Sequence, residues 1–393
     1  MTSTDIATRS TGTAPGAHDG RVPSEATTLD IAEQLAHERT LELEQQIAAD
    51  PGRFRVLTGD RPTGRLHIGH LFGTVANRVR LQGLGVQTFV VVADYQVIAD
   101  RDSGGDLASA CLDLVIDHLA AGIDPARSTI FQHSAVPELH QLMLPFLSLV
   151  TVAELERNPT VKAELAATGG RAMSGLLLTY PVHQAADILA VRGTVVPVGR
   201  DQLPHLETTR LVARRFNARY GEGTLPEPEA LLSPTPLVLG LDGAKMSKSA
   251  GNAIALTAAP DEIARAVRGA RTDAERTITY EPERRPHVAN LLRLAALAGA
   301  GDPQDVAARI GDRGAGALKA LLTDALVDRL APVRERAALL QGDRAQVAAV
   351  LRVSPLPLSR LLPAGELPGI RFGPSFRLPA AALTPSLLSA TTV

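Results

Sequence analysis

From residue 28 the chain alternates between short, wholly apolar runs and longer stretches where apolar residues recur every three or four positions. Runs of the first kind predict buried strands and stretches of the second kind predict amphipathic helices. Leu29, Ile31, Ala32, Leu35, Leu41, Leu43 and Ile47 predict a leader helix over residues 28–49, packed on the body and stopped by Asp50, Pro51 and Gly52. Phe54, Val56 and Leu57 begin a strand, a Gly/Pro loop follows, and helical sequence resumes over 66–81. A second strand is expected over 87–94, with Asp94, Tyr95 and Gln96 at its C-terminal end. Helix 106–121 (Leu107, Cys111, Leu114, Val115, Leu119) and strand 128–131 continue the alternation. Residues 137–155 read as one apolar helix, either core or a dimer face. Residues 158–171 read as a mobile loop. A helix beginning with Thr179 as cap and Pro181 in its first turn then leads to strand 194–198 and helix 203–220. Strands alternating with helices predict an α/β fold, a Rossmann-type doubly wound parallel sheet.

After residue 260 the pattern is helical only: Val288, Leu291, Leu292, Leu294 and Leu297, then Ala317, Leu318, Leu321, Leu322, Leu326 and Leu330. It predicts an all-helical C-terminal domain over 261–350, including a proline-led entry into a long helix at Ala331 and Pro332. Beyond Leu351 prolines recur too often for a continuous helix. The expected organisation is therefore a disordered extension (1–26), the leader helix (27–50) and a catalytic domain (51–230). A loop region returning to that domain (231–260), the helical domain and a proline-rich tail (351–393) complete it.

Composition narrows the class. At 393 residues the chain can bury a sizeable core. It has no run of about twenty apolar residues that would predict a membrane span, and its Thr/Ser-rich start lacks a secretory h-region. One cysteine, Cys111, excludes a disulfide framework, which points to a reducing cytoplasm. A net charge of -2 gives no global attraction to nucleic acid, so any RNA surface must be a local patch.

The chemistry concentrates in two segments. His67, Ile68, Gly69 and His70 open a helix after a glycine-rich turn. Strand, turn and helix N-terminus present N–H groups to phosphate, and the two imidazoles share one face at i, i+3. Gly69 lets a flat base approach the backbone. The glycines do not spell a dinucleotide fingerprint. Far downstream stand Lys245, Met246, Ser247, Lys248 and Ser249, whose two ammonium groups suit a pyrophosphate that gains charge as it leaves. Between them, Tyr180, Gln184 and Asp187 share one helix face, presenting a phenol, an amide and a carboxylate. Strand 194–198 ends in Gly199, Arg200, Asp201 and Gln202.

The two outer segments resemble the HIGH and KMSKS signatures of class I aminoacyl-tRNA synthetases. Nucleotidylyltransferases share the histidine motif but not the lysine run. The middle segments, Tyr-Pro-x-x-x-Ala-Ala-Asp-Ile and Val-Pro-Val-Gly-x-Asp-Gln, narrow the resemblance to the tryptophanyl-tRNA synthetases over residues 53–290. That resemblance implies ATP with Mg2+, L-tryptophan and tRNA(Trp) as substrates and partners, no metal-ligating residues, and a cytoplasmic homodimer. It assigns His67, His70, Lys245 and Lys248 to catalysis. Arg61, Gly69, Asp201, Met246 and Ser247 would bind ATP. Asp187 would accept the indole N–H, Tyr180 and Gln202 would hold the ammonium group, and Val196, Val198, Gln184 and Gln96 would line the ring pocket.

Three positions depart from many relatives: Gln184 replaces an apolar residue, Gln96 a histidine and Arg61 a glutamine. They keep open a second reading, an auxiliary adenylate-forming paralogue for tryptophan or a substituted tryptophan. Tyrosine as substrate and a binding-only pseudoenzyme are further alternatives.

Overall fold

The structure is a computed structural model that describes residues 28–100, 106–167, 172–199, 202–233, 238–247 and 250–353. The expected disordered extension, the proline-rich tail beyond residue 353, Asp201 and Lys248 lie outside the described residues.

Five parallel strands form the centre, in the order β3-β2-β1-β4-β5: β1 (Arg55–Asp60), β2 (Gln87–Val92), β3 (Ser128–Gln132), β4 (Val195–Val198) and β5 (Glu229–Leu232). β1 and β2 run in register over their whole length, Arg55 opposite Gln87 through Asp60 opposite Val92. β1 and β4 pair only at Val56 and Val195. These neighbours lie where the strand order reverses, and they part toward their C-terminal ends. A crevice at such a switch point is where open α/β sheets bind ligands. Gly59 sits where β1 and β2 run closest: a Cβ there would lie 2.4 Å from the Val91 carbonyl oxygen.

Helices cover the sheet. The leader helix α1 (Thr28–Ala49) packs Leu43 and Ile47 against Phe54, Val56, Val195 and Leu231, as its periodicity predicted. The signature helix consists of α2 (Ile68–His70), a π-turn (Leu71–Val75) and α3 (Ala76–Leu84). α4 (Asp94–Asp100), α5 (Leu107–Ala121), α6 (Glu138–Leu147), α7 (Val152–Arg157), α8 (Pro159–Ala167), α9 (Gly175–Ala190) and α10 (Leu203–Tyr220) follow. The C-terminal segment is helical, with α11 (Pro260–Arg268), α12 (Pro286–Leu297), α13 (Pro303–Ile310), α14 (Gly314–Gly342) and α15 (Arg344–Val353). One apolar cluster runs from Ile68, Val90 and Leu114 through Leu291 to Leu326 and Leu330, so the helical segment shares its core with one face of the sheet.

Five local expectations need correction. Residues 159–167 form α8 rather than a loop, because Pro159 occupies the first helical turn and Asn158 Oδ1 accepts the Thr160 N–H at 3.0 Å. Residues 137–155 are two helices. Pro145 sits near the end of the first, and Thr151 and Glu154 build a capping box that starts the second. α9 begins at Gly175 with Ser174 as its cap, which places Thr179 and Pro181 inside it. Pro332 likewise lies within the 29-residue α14 and does not open a helix. β5 was not anticipated at all: it is a four-residue edge strand with no run long enough to register.

Candidate active site

The loop leaving β1 is held rigidly before it reaches the histidines. Asp60 receives the buried guanidinium of Arg78, and His118 Nε2 lies 2.9 Å from the same carboxylate oxygen. Burial alone would push this carboxyl up, but Arg78 and His118 hold it well below the usual carboxylate range. At the far end of the loop, Arg65 forks onto Asp117 of α5, whose other oxygen accepts the Leu66 N–H at 2.6 Å. Arg61, between these anchors, is exposed.

His67 is the N-cap of the signature helix. Its Nδ1 accepts the Gly69 N–H, and His70 Nδ1 accepts the His67 N–H, both at 3.2 Å. With both Nδ1 atoms accepting, each neutral ring carries its proton on Nε2 and is a donor there. The rings lie 3.8 Å apart. Capping and ligand binding are thus compatible uses of the same imidazoles. The π-turn directly after them fits a functional position, where such bulges recur.

The lysine segment is stitched to this helix. Ile68 N–H donates to the Ile254 carbonyl at 2.9 Å, and Leu256 N–H to the Leu66 carbonyl at 3.1 Å. Asn252 holds the loop's shape: its Oδ1 accepts from Ser247 N–H at 2.8 Å, and its Nδ2 donates to Asp242 (2.8 Å) and to the Lys245 carbonyl (3.1 Å). Met246 is buried, and a Cβ placed on Gly69 would lie 2.9 Å from its Sδ. Two residues 177 positions apart in sequence therefore meet at one spot. Lys245 is exposed on the same segment.

α9 presents the third group. Asp187 is buried, and its Oδ2 lies 3.0 Å from His133 Nε2 at the C-terminal end of β3. Its Oδ1 is buried without a hydrogen-bond partner. Such an orphan acceptor costs about 1–3 kcal/mol in an empty pocket and offers that much back to a donor. Around the carboxylate stand three imidazoles. His183 stacks 4.6 Å from His133 and 5.1 Å from His140, with His183 Nε2 3.2 Å from His140 Nδ1. Burial would lower His133, but Asp187 outweighs it and Asp94 adds to it, so His133 is held above the usual histidine value. Burial depresses both His140 and His183. Tyr95 of α4 stacks on His140 at 4.8 Å, while Gln96 beside it is half-buried. Donor atoms of His133, His183 and Asp187 lie within 4.8 Å of one another, a set that could hold a cation and that the sequence reading did not foresee.

Tyr180, two turns before Asp187, places its hydroxyl 2.7 Å from His205 Nε2 in the first turn of α10. Gln184, between them, and Gln202, before α10, are half-buried. Val196 and Val198 share one face of β4 and pack with Leu57, Ile188 and Leu206. The four histidines were missed although two carried a signal. His183 stands four residues before Asp187 on the same helix face, and His133 lies two residues past a predicted strand end.

Comparison with known proteins shows the family of the chain. A family model described as "tRNA synthetases class I (W and Y)" matches residues 50–331. A tryptophan–tRNA ligase of Lactococcus lactis is 41% identical over 293 residues, covering 72% of this chain and 86% of that protein. That of Clostridium longisporum is 45% identical over 233 residues, or 58% and 68% of the two chains. Among solved structures, tryptophanyl-tRNA synthetase of Campylobacter jejuni, complexed with ADP and tryptophan, superposes with a TM-score of 0.67 at 30% identity. It covers 77% of this chain and 94% of that one. Tyrosyl-tRNA synthetase of Archaeoglobus fulgidus, at 21% identity and a TM-score of 0.60, shares the fold.

Proposed function

The chain belongs to the class I tRNA synthetases of the tryptophan and tyrosine group, and from that premise we propose that it is an ATP-dependent tryptophan–tRNA ligase. Tryptophan rather than tyrosine is supported by the 41% identity to a tryptophan–tRNA ligase, and the buried, unpartnered Oδ1 of Asp187 supplies the acceptor for a ring donor. An indole N–H is the donor it lacks. An amino acid without that donor would leave the carboxylate unsatisfied, a penalty large enough to make a second editing site unnecessary.

In the first step the tryptophan carboxylate oxygen attacks the α-phosphorus of ATP in line, forming tryptophanyl-adenylate as the bond to pyrophosphate breaks. Tyr180 and Gln202 hold the ammonium group, and Val196 and Val198 wall the ring with Gln184 and Gln96. His67 and His70, donating through Nε2, meet the phosphates. Gly69 and Met246 make the floor under adenine, with Ser247 and Arg61 at the nucleotide and Asp201 on its ribose. Lys245 and Lys248 take up the charge that grows on the leaving pyrophosphate. The residues contribute position and electrostatic stabilisation, with no covalent nucleophile. Magnesium bound to the nucleotide would help to neutralise the phosphate charge that Lys245 and Lys248 meet. In the second step a terminal hydroxyl of tRNA(Trp) attacks the activated carbonyl and AMP leaves.

Leu144, 70% exposed on α6, and Val152, 59% exposed on α7, lie on the segment whose sequence suggested a dimer face, and they support a homodimer. No helix among the described residues is long and apolar enough to cross a membrane, and tRNA and ATP as substrates support a cytoplasmic location. Amino-acid-dependent ATP–pyrophosphate exchange tests the proposal. Exchange with tryptophan, followed by charging of tRNA(Trp), is the expected result; exchange with tyrosine alone, or with neither, would refute it.

A further inference from the structure

We propose that His133 is a positioning residue for amino-acid recognition: it donates Nε2–H to Asp187 Oδ2 and thereby commits Oδ1 to the indole N–H. The inference rests on the reading of Asp187 as the indole acceptor. Three observations carry it. The His133–Asp187 contact is a 3.0 Å hydrogen bond between two side chains that are 0% and 2% exposed, so water cannot substitute for either partner. The carboxylate is engaged on one oxygen and orphaned on the other, the division expected of a group waiting for one donor. His133 itself is fixed from outside, since its ring stacks on His183 and the adjoining Ser134 N–H is bonded to Asp94 at 3.2 Å.

Asp94 fixes this corner. Its oxygens accept from Tyr95 N–H, Ser134 N–H and the Gln132 side-chain amide at 2.7–3.2 Å, which ties the end of β3 to the start of α4. The imidazole therefore reaches Asp187 from a strand end rather than from a loose loop. Without it, Oδ2 would be a second buried acceptor competing for the same indole proton. The carboxylate could then rotate or take up a proton and become a donor, and either change erases the distinction between an indole and a ring lacking N–H.

The test replaces His133 in the full-length enzyme and reads pyrophosphate exchange with tryptophan and with its benzothienyl isostere, which lacks the N–H. His133→Leu and His133→Asn remove or shorten the donor. His133→Gln keeps an N–H of similar reach. The first two should raise KM for tryptophan about 10- to 100-fold, the size of one lost charge-assisted hydrogen bond. KM for ATP should change less than about twofold and selectivity over the isostere should fall about tenfold, within the same range. His133→Gln should recover most of both. Should His133→Leu not fold, His133→Asn set against His133→Gln carries the comparison.

Unchanged tryptophan KM in the donor-deficient variants, or a His133→Gln enzyme as impaired as His133→Leu, would overturn the proposal. So would one equivalent of zinc retained by the wild-type chain and lost in His183→Leu, because a metal would then occupy the carboxylate. Failure of the parent reading looks different: the wild-type enzyme itself would not select tryptophan over the isostere.

Discussion

In the proposed mechanism a single carboxylate selects the amino acid, and its environment accounts for how. Asp187 has a donor on one oxygen and none on the other, so replacing it removes both the anchor for His133 and the acceptor for indole. Asp187→Ala should lower kcat/KM for tryptophan about 100-fold or more while leaving KM for ATP nearly unchanged, as steady-state exchange would show. Much of this corner was legible in the sequence: Tyr180, Gln184 and Asp187 do share a face of α9, and the assigned carboxylate is the buried one. The pairings of the histidines were not legible. His133 lies 54 positions from Asp187 and His205 lies 25 from Tyr180. Contacts between separate elements leave no periodic trace in a helix or a strand, so only the fold reveals them.

Among the elements, the signature helix and the lysine segment form one assembly. Backbone bonds from Ile68 and Leu66 to the chain around Ile254, and the three side-chain bonds of Asn252, fix how the segment carrying Lys245 and Met246 sits on the signature helix. Asn252→Ala should cost about 1–3 kcal/mol of local stability and raise KM for ATP several-fold without changing KM for tryptophan, a split that separates loop support from the indole pocket. The sequence located both motifs but not the role of Asn252, which braces the lysine segment from within, because an asparagine just after a lysine loop has no distinctive spacing. Helix starts were misplaced where proline was read as an opening signal: Pro181 is buried inside α9, and exposed Pro332 sits inside α14, whose flanking Leu330, Val333 and Ala337 are buried and carry the helix through the lost backbone bond. Tertiary packing overrode local preference there.

For the molecule as a whole, the parallel sheet was predictable from the alternation of strands and helices, whereas the order β3-β2-β1-β4-β5 and the parting of β1 from β4 were not. Stability carries an acid limit built into the floor of the crevice. Asp60 titrates well below its ordinary 3.8 because Arg78 and His118 overcome the effect of burial, so its contribution is present above about pH 4 and is lost as pH falls toward the folded-state value. Asp60→Asn, which strands the buried Arg78 charge, should cost about 3–5 kcal/mol at neutral pH. The gap in melting temperature between variant and wild type should narrow below about pH 4. The central claim is that this sheet couples an indole-reading carboxylate to ATP chemistry at the crevice. Its most direct measurement compares pyrophosphate exchange driven by tryptophan and by the benzothienyl isostere in the wild-type enzyme. The structure predicts a preference for tryptophan of about a thousandfold or more; equal exchange with both would contradict the assignment of Asp187.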